Sequence, residues 1–278
     1  MSDLMLVMVA PLVACLLLVA MFAYLGIHII AREVIFVDLS LAQMAALGGT
    51  SGLLFGVAPH SLLGHVFALT ATTLGALIFA LTRTSRTKRR VPQEAIIGIV
   101  FVVASAATIL VAERTPTGAD LIKEELVGSI LWVDWPIIPR LASVFLVVGL
   151  FPWWLRHRFF TISLNEEAAA DRGWHIKWWD FWFYASFGVA ITMAVPIAGV
   201  LLVFTFLVIP SVIAFLFTRR PPLLLAVSWT VAAFVCAAGL LASFELDLPT
   251  GPLIVCLFGL ALLIAGAISR RYPTPEVS

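Results

Sequence analysis

Apolar runs of about 20 residues, each closed by a short polar break, recur from one end of the chain to the other. At about 1.5 Å of rise per residue, such a run crosses the roughly 30 Å hydrocarbon core of a bilayer as a helix. The breaks set candidate spans at about 4–30, 34–57, 62–81, 94–112, 136–155, 179–198, 199–218, 223–244 and 252–269. Apolar and polar residues do not alternate within them, so a helical bundle is expected rather than a barrel of tilted strands. The expected fold is an all-α polytopic membrane protein, a single domain over 1–278 built as a bundle of 8–9 transmembrane helices. The stretch 124–131 is too short to cross and reads as a surface or re-entrant helix.

Two long polar segments interrupt this background. One is the basic run 83–90, closed by Pro92. The other is 156–178, whose middle reads as a short capped helix over 163–173. Ser163 with Glu166 fits a capping box, and Asn165 is a second candidate cap. Glu166 and Glu167 suit the positive end of a helix dipole, and Gly173 is a natural C-terminal stop. A helix this short persists only where it packs on something.

Hydrophobic residues make up 62% of the 278 and charged residues 12%, with a mean hydropathy of +1.08. Soluble chains carry roughly 25% charged residues, so the bilayer is the main solvent here. A net charge of +1 leaves no electrostatic footprint for nucleic acid. The placement of Lys and Arg says more. With the N-terminus outside and the C-terminus inside, only Arg114, Lys123 and Arg140 of the 17 basic residues fall in outside loops. This is the positive-inside bias. It puts 83–90 and 156–178 in the cytoplasm and makes the short helix at 163–173 a cytoplasmic one. The outer loops hold Asp3, Glu113, Asp120, Glu124, Glu125, Asp134, Glu245 and Asp247, an acidic face suited to a cation or a basic docking surface. Cys15, Cys236 and Cys256 sit within apolar runs and read as small buried residues. The first apolar run lacks a basic start and reads as a retained span.

No catalytic motif is present: neither a Gly-Lys-Thr/Ser phosphate loop, nor Gly-x-Ser-x-Gly, nor His-Glu-x-x-His. If ATP drives this chain, another subunit hydrolyses it, and the helix at 163–173 is the natural contact. Among ionisable groups within spans, Asp38 is the clearest candidate for a pathway. At 100° per residue, Ala42, Ala45 and Gly49 share its face and turn it inward, whereas Gln43 lies about 140° away. Two roles are open to Asp38: an ion pair with Arg32 or the basic loop, or a place on a polar pathway. His60 and His65 flank the start of the third span at a spacing poor for chelation. Glu94 follows Pro92 at a helix start, where an acid is favourable. Pro210 and Gly199 mark a hinge or a packing irregularity in the seventh span. Trp153, Trp154, Trp174, Trp178, Trp179 and Trp182 form an interfacial belt.

Several segments carry a family resemblance. They are 32–36 leading into a small-residue helix, 94–99, 126–131, 166–173, 199–203 through Pro210, and 248–252. In this order and spacing the chain resembles the permease subunits of ATP-binding-cassette importers for zinc, manganese and iron. The resemblance implies a homodimeric permease that binds no cofactor of its own. It also implies two ATPase subunits holding ATP, and an external metal-binding protein that delivers a divalent metal as substrate. The setting implied is the cytoplasmic membrane of a prokaryote. The family's coupling segment falls on 163–173, which assigns ATPase contact to Ser163, Asn165, Glu166, Glu167, Ala168, Asp171, Arg172 and Gly173. Asp38, Gln43 and His65 become pathway candidates for the metal. One departure stands out: the family commonly has a Ser-His pair where this chain has Ala42 and Gln43. An amide is a weak zinc ligand, and oxygen donors suit manganese better. A permease for a metal chelate shares the architecture, and a stand-alone secondary carrier is a third reading. The carrier would need coupling acids at mid-membrane, and the spans offer few.

Overall fold

The computed structural model describes residues 2–58, 61–83, 91–115, 125–164 and 166–271. Among these, the chain forms eleven α-helices of six residues or more and no strand. They are α1 (Ser2–Arg32), α2 (Val37–Leu53), α3 (Leu62–Thr82), α4 (Gln93–Ala112), α5 (Ile137–Trp154), α6 (Arg156–Leu164), α7 (Glu166–Asp171), α8 (Ile176–Ala198), α9 (Val200–Phe217), α10 (Pro221–Leu246) and α11 (Thr250–Arg271). Eight of them are long and apolar enough to cross a membrane. The other helix of comparable length is α2, with 17 residues, or about 26 Å of rise.

The surface pattern is that of a chain dissolved in lipid. On α4 the buried positions are Gln93, Ile97, Ala104, Thr108 and Ala112, while Ile99, Val102, Val103, Ile109 and Leu110 point outward. Large residues face the acyl chains, and mostly small ones let helices approach. Several hydroxyls inside the bundle are satisfied locally: Thr50, Thr72, Thr108 and Thr192 each donate to a carbonyl one turn earlier. Cys256 is exposed on α11, whereas Cys15 and Cys236 are buried.

Packing falls into two compact units. The first comprises residues 1–30, 127–143 and 197–278. Here α9, α10 and α11 pack on one another, with Phe206 edge-on to Phe258. The expected helix at 124–131 is instead a single turn at 125–127, a break at Gly128, and a 3-10 turn over Ile130–Trp132. Gly128 has φ +68°, and a side chain there would strike the backbone of Ala198 and Gly199. Gly199, at φ +78°, is pressed against Val127 and Gly128 in return. Ser129 N–H donates to the Ile197 carbonyl at 3.0 Å. The helix stops because two backbones touch where only glycines fit.

The second unit comprises residues 31–126 and 144–196. Here α2 packs against both α3 and α4. The stripe expected on α2 is broader than Asp38, Ala42, Ala45 and Gly49. The buried positions include Asp38, Leu41, Ala42, Ala45, Ala46, Gly48 and Gly52. Gly49 meets open space, and it is Gly48 that lies against the backbone of Phe67 and Ala68. A helix wedged between two neighbours buries more than one narrow stripe. Helix α2 has no side-chain cap of its own. Glu94 of α4 supplies one, accepting from Phe36 N–H at 3.0 Å.

Candidate functional site

The stretch 156–178 folds as two helices, not the single one expected over 163–173. Helix α6 ends at Leu164 and α7 begins at Glu166, with Asn165 outside the described residues. Ser163 therefore lies inside α6 and does not cap α7. Its hydroxyl has another partner, accepting from Arg32 Nε at 2.8 Å in a buried setting. The C-terminal stop is as read. Gly173 sits at φ +71°, Trp174 N–H donates to Ala169 and Gly173 N–H to Ala170. These are the two bonds of a Schellman end.

Aromatic packing holds the stretch down. Phe159 is fully buried and contacts the rings of Phe151, Trp179 and Phe183. The Arg158 guanidinium lies 4.6 Å from the Trp179 ring centre, and Arg172 lies 5.5 Å from that of Trp174. Trp153, Trp154, Trp178 and Trp182 are exposed, as an interfacial belt requires.

Beneath this layer is a buried ion network. Arg32 Nη1 donates to Asp180 Oδ1 at 2.5 Å, and neither side chain is exposed. The Arg32 guanidinium also lies 4.2 Å from the Phe183 ring centre. Arg83 Nε is 3.0 Å from Asp180 Oδ2, and Arg83 Nη2 is 3.3 Å from Glu166 Oε2. Two guanidiniums and two carboxylates thus balance in charge. Tyr184, one turn after Asp180, is buried beside Arg83. Burial alone would lower the pKa of Arg83. The carboxylate of Asp180, then the neighbouring Tyr184 and Glu166, together outweigh burial and raise it above the usual arginine value. Two further bonds tie the end of α3 to its neighbours. Lys177 Nζ donates to the Leu81 carbonyl and Gln93 Nε2 to the Phe79 carbonyl, each at 2.9 Å. Both donate to carbonyls of the last helical turn, which lack intrahelical N–H partners, and the Phe79 carbonyl also accepts from Thr82 Oγ1 at 3.3 Å.

The sequence-derived candidates divide. Ser163, Glu166 and the buried Ala169 face this network or the core, while Glu167, Asp171, Arg172 and Gly173 are exposed and Ala168 is half-buried. Asp38 is 1% exposed in the first turn of α2, and its Oδ2 has no hydrogen-bond partner among the described residues. Arg32, one of its expected partners, is committed to Asp180 and Ser163. Gln43 is half-buried. His65 is too, and its Nδ1 bonds the Ser61 carbonyl at 2.8 Å. Among the described residues, no three His, Cys, Asp or Glu side chains converge to hold a metal. Gly199 separates α8 from α9, and Pro210 lies buried inside α9, its carbonyl accepting from Ser228 Oγ at 3.2 Å.

Asp180 is the residue that sequence reasoning missed. The signal was there: a lone acid in the aromatic run 178–184, with Tyr184 on the same helix face. A span that begins at Trp179 leaves Asp180 at its polar boundary, where an acid is ordinary. Arg83 opens the basic run 83–90, and its partners Glu166 and Asp180 are far away in sequence.

A multi-span helical bundle with a braced pair of short polar helices between two spans is the architecture of a multi-pass membrane protein. The chain belongs to the ABC 3 transport family, whose model matches residues 5–269. It is similar to a probable metal transport system membrane protein of Chlamydia pneumoniae, at 24% identity over 249 residues, covering 89% of this chain and 84% of that one. It is also similar to the manganese transport system membrane protein MntB of Synechocystis sp., at 27% identity over 209 residues, covering 74% and 67%. Among solved structures, PsaBC from Streptococcus pneumoniae in complex with Fab shares the fold. The TM-score is 0.78 and the identity 19%, over 95% of this chain and 92% of that one.

Proposed function

We propose that this chain is the membrane permease subunit of an ATP-driven importer of divalent metal ions, with manganese, zinc and iron as candidate cargoes. As a single permease domain, it works as two copies. They join two cytoplasmic ATPase subunits and an external metal-binding protein, in the inner membrane of a prokaryote. The N-terminus lies outside and the C-terminus inside.

One observation carries the reading: a six-residue helix, too short to stand alone, is braced from behind by buried charges of Arg32, Arg83 and Asp180. Arg32 and Arg83 come from breaks that the Lys and Arg bias assigns to the cytoplasm, and they meet the stretch assigned there too. The cargo class is supported by relatives described as metal and manganese transport membrane proteins. Closure of the ATPase pair pushes on 156–178, and the spans rock between inward- and outward-open states. Gly199 and Pro210 serve as hinge. Asp38, Gln43 and His65 are transient contacts for the metal, and meeting it singly rather than as a converging set they bind it weakly enough to let it pass.

Uptake of radiolabelled Mn²⁺, Zn²⁺ and Fe²⁺ by cells expressing the chain with a co-purifying ATPase tests this. The expected result is accumulation of at least one ion, abolished when the ATPase is inactivated. Transport by the chain alone in proteoliposomes would overturn the reading in favour of a secondary carrier. Uptake of a chelate but not the free ion would replace the cargo.

A further inference from the structure

Glu166 and Glu167 are adjacent in the chain but lie in different surroundings. Glu166 turns inward, with its side chain 14% exposed and its carboxylate against Arg83. Glu167 is exposed, as are Ala170 and Asp171. At 100° per residue these three cover one arc of α7, and Glu166 with the fully buried Ala169 covers another, centred about 120° away. The helix therefore has an acidic outer face and a single inward carboxylate.

The charges behind Glu166 are held in two ways. Arg32 makes aligned hydrogen bonds to Ser163 and Asp180, with no exposure at either charge. Arg83 is close to Asp180 and Glu166, yet Arg83 Nε, Asp180 Oδ2 and Glu166 Oε2 are not in hydrogen-bonding alignment. An aligned bond weakens steeply with angle, whereas a bare charge contact tolerates displacement because Coulomb attraction varies slowly with distance. Glu166 is also the most exposed of the four charged side chains. It can regain water when its contact opens, and Asp180 cannot.

We infer that α7 works through two separate faces. The outer one, Glu167 and Asp171, docks the ATPase subunit, which must offer basic or hydrogen-bond-donating groups there. The inner one passes displacement of α7 from Glu166 through Arg83 to Asp180, the positioning residue that joins the end of α3 and the start of α8 to Arg32 and Ser163. Glu166–Arg83 is the releasable joint, and Ser163–Arg32–Asp180 is the fixed anchor. A shift of α7 changes the Arg83 contact first. Arg83 then redistributes between the two carboxylates, and the end of α3 follows. This rests on the coupling role assigned to 156–178 above.

The test uses the complete importer, the permease co-expressed with its ATPase, reading co-purification, ATP turnover and Mn²⁺, Zn²⁺ or Fe²⁺ moved per ATP. Glu167→Gln with Asp171→Asn should lower co-purified ATPase at least about fivefold and leave metal per ATP unchanged in the complex that remains. Glu166→Gln should leave co-purification unchanged and lower metal per ATP by at least about fivefold. Arg83→Lys should keep most of the ratio, because a contact without alignment needs the charge more than the guanidinium fork. Arg32→Lys should not, because its partners are aligned. The inference is overturned if Glu166→Gln leaves the ratio intact, or if it releases the ATPase as the outer pair does. If neither variant changes association or ratio, the coupling role of 156–178 falls with it.

Discussion

Replacing Asp180 with asparagine should be among the most damaging single isosteric changes in the second unit. The carboxylate has no exposure and faces Arg32 at 2.5 Å and Arg83 at 3.0 Å. Its removal leaves two buried guanidiniums opposite Glu166 alone. Each pair at contact distance is worth about 4 kcal/mol at an effective dielectric near 20, and breaking a buried pair typically costs about 3–5 kcal/mol. Asparagine can still accept from Arg32 through Oδ1, so the lower end, about 3 kcal/mol, is expected. For a chain of this size that corresponds to a fall in Tm of roughly 6–12 °C. Thermal unfolding of the purified protein in detergent or nanodiscs measures it. Asp171→Asn, on the exposed face of α7, is the matched control and should stay within about 0.5 kcal/mol. Adding Arg83→Met to Asp180→Asn should recover part of the loss, because one orphaned charge is removed. A Tm for Asp180→Asn within about 2 °C of the parent would refute the reasoning, since it would mean the network carries little net energy.

Three other changes test the local geometry, each by the same thermal measurement. Gly199→Ala places a side chain in a left-handed conformation and against the backbone of Val127 and Gly128. It should cost more than the strain of about 1–2 kcal/mol alone. Gly173→Ala meets no atom within 4 Å, so it should show only that strain, about 1–2 kcal/mol; equal losses at the two glycines would contradict the crossing. Glu94→Ala removes the acceptor for Phe36 N–H, and a loss of about 0.5–2 kcal/mol is expected, as for other helix caps. Unchanged stability would mean that water replaces the carboxylate at the start of α2.

Much of the fold was legible in the hydrophobic pattern, because a bilayer leaves a chain few ways to satisfy its backbone. The runs at 62–81 and 94–112 appear almost unshifted as Leu62–Thr82 and Gln93–Ala112. The Gly173 stop was legible for a different reason, since left-handed φ is a local requirement that glycine meets. Where local signals competed with tertiary contacts, the contacts won. Ser163 and Glu166 have the spacing of a capping box, but Arg32 takes the hydroxyl and Arg83 the carboxylate. Helix signals at 124–131 yield to the crossing of Gly128 and Gly199.

Taken alone, the sequence determined that this chain spans a membrane with many helices and that 156–178 is its main polar interruption after the basic loop. Period and length follow from the solvent, and both are written locally. Only the tertiary structure decided which charges of that interruption face inward. Arg32, Arg83, Glu166 and Asp180 are scattered over nearly 150 residues, and no local rule pairs them. They meet because burying a charge among helices is costly unless an opposite charge is within reach, and the packing of the second unit puts one there.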